Sequence, residues 1–333
     1  MGENGHNGNN HVKKIAVLSS GGDAPGTNAC IRAIVRVASE RGIHVLGVSH
    51  GYTGLLHNEA APLTRRTVGN IIQRGGTILG TSRCEEFTTP EGRAKAAAIL
   101  EEHKVDGLIV LGGDGSFRGA AALAREHNLK IIAIPTTIDN DMPGTDYTLG
   151  FDTAVNVALE AIDRIRDTAE SHERIFFVEV MGNVCGAIAL EVGVAGGADD
   201  VLVPEVDTNI DFLCEHLETG FHHGRRSSII VVAEGGENGG AFAIAHQVWK
   251  RLRCDYRVCV LGHIQRGGAP TARDRVTGSK FGALAVDTLA GGESGVMVGE
   301  KEGKPCLVPL EEAFSARRHA DQSLLELARR LTR

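Results

Sequence analysis

Short apolar runs and amphipathic stretches alternate along almost the whole chain. Val/Ile/Leu-rich runs at 13–19, 43–48, 106–111, 130–134, 174–180, 229–233 and 257–261 have the length of buried strands and are bounded by turn residues. Between them, apolar residues recur at helical spacing over 27–41, 93–104, 117–127, 152–169, 183–195, 209–223, 239–253 and 272–290. Strands separated by helices of ten or more residues predict βαβ units, and hence an α/β fold of mainly parallel sheets flanked by helices. The pattern predicts two doubly wound domains with a hinge near Gly150. Periodicity does not say which domain receives the segment 265–315.

Composition narrows the function classes. At 333 residues the chain is long enough for about two domains of ordinary size. Among its 43 glycines, several Gly-Gly pairs fall at the ends of apolar runs, which suits phosphate-cradling turns better than disorder or collagen. A net charge of -7 argues against a general nucleic-acid or membrane binder but leaves room for a local arginine cluster that binds anions. Seven cysteines without a CxxC pair give neither a disulfide framework nor a zinc site. A reducing cytoplasm fits, no apolar stretch reaches bilayer length, and the Gly/Asn/His-rich residues 1–11 are expected to be a disordered tail.

The chemistry gathers where strands end. The run from Lys130 to Pro135 is followed by Thr136, Thr137, Ile138, Asp139, Asn140 and Asp141. Ligands of open α/β sheets bind beyond the carboxyl ends of strands. Two carboxylates there can divide the work of holding Mg²⁺ and taking a proton from a hydroxyl. A solvated Asx turn is the plainer reading of the DND triplet alone.

Ser19 to Asn28 (SSGGDAPGTN) follows the first strand and opens the first helix. It reads either as a loop that lets backbone N–H groups reach phosphate or as a tight strand-to-helix turn with an Asn cap. Gly112-Gly113-Asp114-Gly115-Ser116 repeats that architecture, with Asp114 a natural Mg²⁺ ligand and room around it for polyphosphate. NAD kinases and diacylglycerol kinases carry a similar GGDGS, and no Walker A pattern exists here.

Arg83, after Arg74-Gly75-Gly76-Thr77, could bridge phosphates or be a surface arginine. His263 and Arg266 in LGHIQRGG could face one anion, although a lone histidine beside a strand is more often structural.

Taken in order, SGGDAPGTNA, GYTGL, RGGT, GGDGS, TIDND with GTDYTLGFDTA, HERI, VEVMG, AGGADDVLVPE and LGHIQRGG resemble the bacterial-type 6-phosphofructokinases, from Lys13 to about Ala290. The resemblance implies two Rossmann-like domains: 1–150 with 265–315 for the phosphoryl donor, and 151–264 with 316–333 for fructose 6-phosphate. It implies a cytoplasmic homotetramer that moves the γ-phosphoryl group of Mg-ATP to the 1-hydroxyl of fructose 6-phosphate. By resemblance, Asp139 is the base, Asp141 and Asp114 lie on the Mg²⁺ side, and Thr137 contacts the transferring group. Gly22, Arg83, Cys84, Gly113, Asp114, Gly115 and Ser116 would line the ATP site. His263 and Arg266 would hold the 6-phosphate, joined by Arg174 and Arg257 of a neighbouring subunit, with Met181, Gly182, Asn183 and Glu234 at the sugar. An effector site for ADP or phosphoenolpyruvate would use Arg32, Arg36, Arg65, Arg166, Arg225, Arg226 and Asp199.

The chain departs from the family pattern at several positions. Pyrophosphate-using relatives are expected to carry aspartate at 115 and lysine at 136. Gly115 clears the path of the α-phosphate and Thr136 removes the lysine, although nucleotide users usually have glycine at 136. Asn183 stands where the family's MGR motif has an arginine. Thr88 stands where an arginine is common, and Asn70 and His223 alter the effector set. The alternatives are a pyrophosphate-dependent enzyme and a non-catalytic sugar-phosphate-binding paralogue.

Overall fold

A computed structural model describes residues 12–236 and 239–331, so the tail expected over 1–11 lies outside the described residues. In chain order the first half holds β1 (Lys14–Ser19), α1 (Thr27–Glu40), β2 (His44–Val48), α2 (Gly51–Leu56), β3 (Ala60–Leu63), α3 (Pro90–Glu102), β4 (Gly107–Gly112), α4 (Asp114–His127), β5 (Ile131–Thr137) and β6 (Leu149–Gly150). There follow α5 (Phe151–His172), β7 (Ile175–Val180), α6 (Ala187–Ala195), β8 (Asp200–Leu202), α7 (Ile210–His222), β9 (Ser228–Ala233), α8 (Gly240–Leu252) and β10 (Tyr256–Val260). The chain closes with α9 (Ala272–Ala290), β11 (Val296–Lys301), β12 (Lys304–Pro309) and α10 (Gln322–Leu331).

Two sheets form. One runs β12-β11-β5-β4-β1-β2-β3, with β6 added beside β5, and the other runs β10-β7-β9-β8. All pairings in the second sheet are parallel, whereas β2–β3 and β11–β12 make antiparallel edges on the first. Strands such as β4 are buried along their whole length because helices cover both faces. Buried residues of α1 and α9 pack on one face of the first sheet, and those of α3 and α4 on the other. In the second sheet α5, α6 and α10 cover one face, and α7 and α8 the other. The segment whose destination periodicity left open places α9 against α1, and β11 beside β5.

Several boundaries move from the sequence expectation. The helix expected from 183 begins at Ala187, because Gly182 (φ 148°) and Asn183 (φ 56°) form a turn closed by the Cys185 N–H to Gly182 carbonyl bond. The helix expected from 93 begins at Pro90, with the Thr89 hydroxyl accepting from the Gly92 N–H. The helix expected from 117 begins at Asp114, so the GGDGS turn is itself a helix start. Strands β3, β6, β8, β11 and β12, and helices α2 and α10, were not expected. Among the described residues, no helix is long and apolar enough to cross a membrane.

Candidate active site

Strands β1, β4 and β5 are neighbours and end on the same side, which brings their following turns together. Gly21 (φ 91°) bends the chain after β1, and the Ser116 hydroxyl donates to the Ser20 carbonyl at 3.0 Å. A Cβ at Gly112 would lie 2.7 Å from that same carbonyl, so this close approach needs glycine. The Tyr52 hydroxyl donates to the Ser116 carbonyl at 2.7 Å and fixes the start of α4 from above. The second sheet meets this edge with the ends of β7, β9 and β10. There the Met181 N–H donates to Gln265 Oε1 at 2.8 Å, and the Asn183 N–H donates to Glu234 Oε1 at 2.9 Å.

Between the two edges lies a cleft of about 1060 Å³. Of the residues named from sequence, Gly22, Arg83, Cys84, Gly113, Asp114, Gly115, Ser116, Thr137, Asp139, Met181, Asn183, Glu234, His263 and Arg266 line it. Gly182 sits just behind, with its N–H 3.3 Å from Glu234 Oε1. The guanidinium of Arg266 crosses from the second sheet's side to donate to the Asp23 carbonyl at 3.2 Å. It passes so near Gly22 that a Cβ there would fall 2.6 Å from its Nη1. Asp141 is not part of the lining. Arg174 immediately precedes β7 and Arg257 is the second residue of β10, so both stand toward the strand ends opposite this chain's cleft, and neither lines it.

The turn that carries Asp139 is held at several points. Asn140 adopts φ 52°, its amide donates to the Asp146 carbonyl at 3.2 Å, and its Oδ1 accepts from the Thr148 N–H at 3.0 Å. The Asp139 N–H donates to Thr137 Oγ1 at 3.2 Å, while Asp139 Oδ1 is buried with no partner among the described residues. Burial, reinforced by the neighbouring carboxylate of Asp141, pushes Asp139 up to about 6, with Arg266 opposing. Asp141 is also raised by burial, against its own backbone N–H and Arg317. A half-buried carboxylate poised near neutrality at the floor of a cleft has the physical chemistry of a general base. For a divalent cation, no group of three or more His, Cys, Asp or Glu exists among the described residues. A single carboxylate such as Asp114 fits Mg²⁺, which keeps several waters and takes one or two carboxylates plus phosphates.

Sequence reasoning missed part of the wall. Tyr52 and Phe87 stack with centroids 3.7 Å apart and planes at 10°, and Asp23, Arg93 and Arg118 also line the cleft. Arg93 is committed elsewhere: it pairs with Glu126 at 2.7 Å and donates to the Phe87 and Thr88 carbonyls, so it shapes the 86–88 turn. No local signal joins Tyr52 to Phe87, because the two lie 35 positions apart. The Arg74–Thr77 loop does not line the cleft. Its Arg74 and Gly75 carbonyls accept from the Asn28 amide. Of the effector set, Arg225 pairs with Asp199 at 3.0 Å, Arg166 binds the Gly196 and Gly197 carbonyls, and Arg36 Nε is buried without a partner among the described residues.

Comparison with known proteins fits this geometry. The phosphofructokinase family model matches residues 14–289. The ATP-dependent 6-phosphofructokinase 1 of Thermus thermophilus is 56% identical over 317 residues, covering 95% of this chain and 98% of that protein. The structure of phosphofructokinase from Saccharomyces cerevisiae superposes with a TM-score of 0.88 at 37% identity, over 91% of this chain. This chain spans only 45% of that yeast chain. A pyrophosphate-dependent phosphofructokinase from Marinobacter aquaeolei shares the fold, with a TM-score of 0.82 at 22% identity over 96% of this chain and 92% of its own. With the match running from the first strand to the end of α9, through every turn that builds the cleft, the chain belongs to the phosphofructokinase family.

Proposed function

We propose that the protein is an ATP-dependent 6-phosphofructokinase, transferring the γ-phosphoryl group of Mg-ATP to the 1-hydroxyl of fructose 6-phosphate to give fructose 1,6-bisphosphate and ADP in glycolysis. The observation that carries the reading is Asp139, half-buried, with an Oδ1 that has no partner among the described residues and a carboxyl raised to about 6, between the two edges of the cleft. Phosphoryl transfer is mostly positioning and electrostatic stabilisation, so a base for the acceptor hydroxyl and cations around the phosphates suffice. In this reading Asp139 takes the 1-hydroxyl proton, while Thr137 presents its hydroxyl to the transferring group. Gly22, Gly113, Gly115 and Ser116 approach the nucleotide phosphates closely, and Arg83 and Cys84 close that side. Mg²⁺, when bound at Asp114 with Asp141 behind, offsets the charge of the phosphates. His263 and Arg266 hold the 6-phosphate, and Met181, Gly182, Asn183 and Glu234 bound the sugar.

Residues 1–150 with 265–315 then form the donor domain, and 151–264 with 316–333 the sugar-phosphate domain. Arg174 and Arg257 serve a neighbouring subunit's cleft in a cytoplasmic homotetramer, and Arg32, Arg36, Arg65, Arg166, Arg225, Arg226 and Asp199 take part in an effector site for ADP or phosphoenolpyruvate. Two observations favour ATP over pyrophosphate. A Cβ at Gly115 would meet nothing within 4 Å, so the α-phosphate has room. The Thr136 side chain is buried, with its hydroxyl donating to the Ile134 carbonyl at 3.2 Å, so it offers the donor no charge and no free proton. The test is a donor panel with fructose 6-phosphate as acceptor. Turnover with Mg-ATP and little with pyrophosphate is expected, and a higher kcat/KM for pyrophosphate would overturn the donor assignment.

A further inference from the structure

Asp114 does not stand free in the cleft. Arg118, one turn further along α4, holds it with a two-pronged fork: Nε donates to Oδ2 at 3.0 Å and Nη2 to Oδ1 at 3.0 Å. An i,i+4 pair on an open helix face is ordinary and contributes little. This one is built further. The same Nη2 donates to the Phe314 carbonyl at 2.7 Å, from a residue 196 positions away, and the guanidinium lies 5.0 Å from the centre of the Phe314 ring. Contacts from two distant parts of the chain thus fix a side chain that is 57% exposed.

The cleft's other arginines are placed differently. Two of them, Arg93 and Arg266, reach Glu126 and the Asp23 carbonyl, whereas Arg118 is held by the carboxylate that the proposed function gives to the metal. A guanidinium fork and a divalent ion compete for the same two oxygens. The fork also has somewhere else to go, since it lines the same wall as Gly115 and Gly119. Phosphate oxygens match guanidinium geometry as well as a carboxylate does.

We propose that Arg118 is a positioning residue that occupies Asp114 in the nucleotide-free protein and yields it to the metal when nucleotide phosphates arrive to take the guanidinium. The proposal rests on reading Asp114 as the metal-side carboxylate. Its consequence is order: the divalent ion is captured with the nucleotide, not alone.

The test measures Mn²⁺ binding to the full-length, nucleotide-free protein by the electron paramagnetic resonance signal of the free ion. Arg118→Met should bind Mn²⁺ about fivefold more tightly than the unmutated protein, the upper range of an exposed ion pair's worth. Arg118→Lys keeps the charge but not the fork, and should fall between. In the same Arg118→Met protein the KM for Mg-ATP should rise, because the phosphates have lost a partner. These opposite signs separate displacement from a merely structural role, which would weaken both. If Arg118→Met binds Mn²⁺ no more tightly while Asp114→Asn binds it less, the role of Arg118 is overturned and Asp114 remains a ligand. If the gain in Arg118→Met survives addition of Asp114→Asn, both readings fall. If Arg118→Lys matches the unmutated protein, net charge and not the fork is responsible, and the proposal fails.

Discussion

At the scale of single residues, the proposed function turns on Asp139 as the base. Replacing it by serine removes the base and leaves the anion-binding groups, so kcat should fall by about 10²-fold or more while fructose 6-phosphate still binds. Steady-state kinetics with a separate binding measurement would check this, and a variant that keeps most of its kcat would take Asp139 out of the role. The base must be ionised, so kcat/KM should decline as pH drops through about 6. The same burial has a stability consequence. A carboxyl raised from 3.8 to about 6 contributes stability that is full below 3.8 and lost as pH rises through about 6, up to about 3 kcal/mol. Asp139→Asn should therefore unfold at higher urea than the parent at pH 8 and at a similar concentration at pH 4. Gly115 makes a second test. Alanine there meets no neighbour, and a carboxylate near the start of α4 favours the helix by about 0.3–1 kcal/mol. Gly115→Asp should keep its melting temperature yet use ATP poorly, because it sets a negative charge beside the α-phosphate, whereas Gly115→Ala should retain most activity.

At the scale of elements, α5 starts directly after β6, which pairs with the end of β5 at Thr136 and Thr137, and its N-terminus is held by a residue of α9. Asp274, 1% exposed, accepts from the Gly150 and Thr153 N–H groups at 2.9 Å each and from the Thr153 hydroxyl. Three donors at a buried helix start would be orphaned by Asp274→Ala, at a cost of about 3 kcal/mol or more. A urea midpoint shifted by less than the equivalent of about 1 kcal/mol would mean that water replaces the carboxylate. Sequence showed α5 and α9 as helices but not this junction, since the partners are more than 120 positions apart. The short strand β8 was missed for a related reason. Three residues carry no period, and its place is fixed by pairing with β9.

At the scale of the whole molecule, one chain's cleft lacks Arg174 and Arg257, which the proposed function supplies from a neighbour. Either change to alanine should raise the KM for fructose 6-phosphate by an amount equivalent to about 1.5–3 kcal/mol, the worth of a charged hydrogen bond. At fructose 6-phosphate well below the raised KM, where Arg257→Ala and Asp139→Ser proteins each turn over poorly, mixing the two should restore part of the activity, because some hybrid clefts combine an intact Asp139 with an intact Arg257. No recovery in confirmed hybrids would argue for a cleft served by one chain.

The sequence by itself determined the alternation of strands and helices and the turns that carry the chemistry. Each is local: β5 is an apolar run, Thr136 to Asp141 follow it directly, and Gly112 to Ser116 sit where a strand becomes a helix. Tertiary structure decided what those turns face. It set Asp139 deep enough to rise to about 6, carried Arg266 across to Asp23, stacked Tyr52 on Phe87 and tied Arg118 to Phe314. It also gave α9, β11 and β12 to the first sheet, and α10 to the second. Periodicity reports which face of an element is buried, whereas burial depth, orphaned oxygens and pairs separated by tens to hundreds of residues depend on which elements pack together.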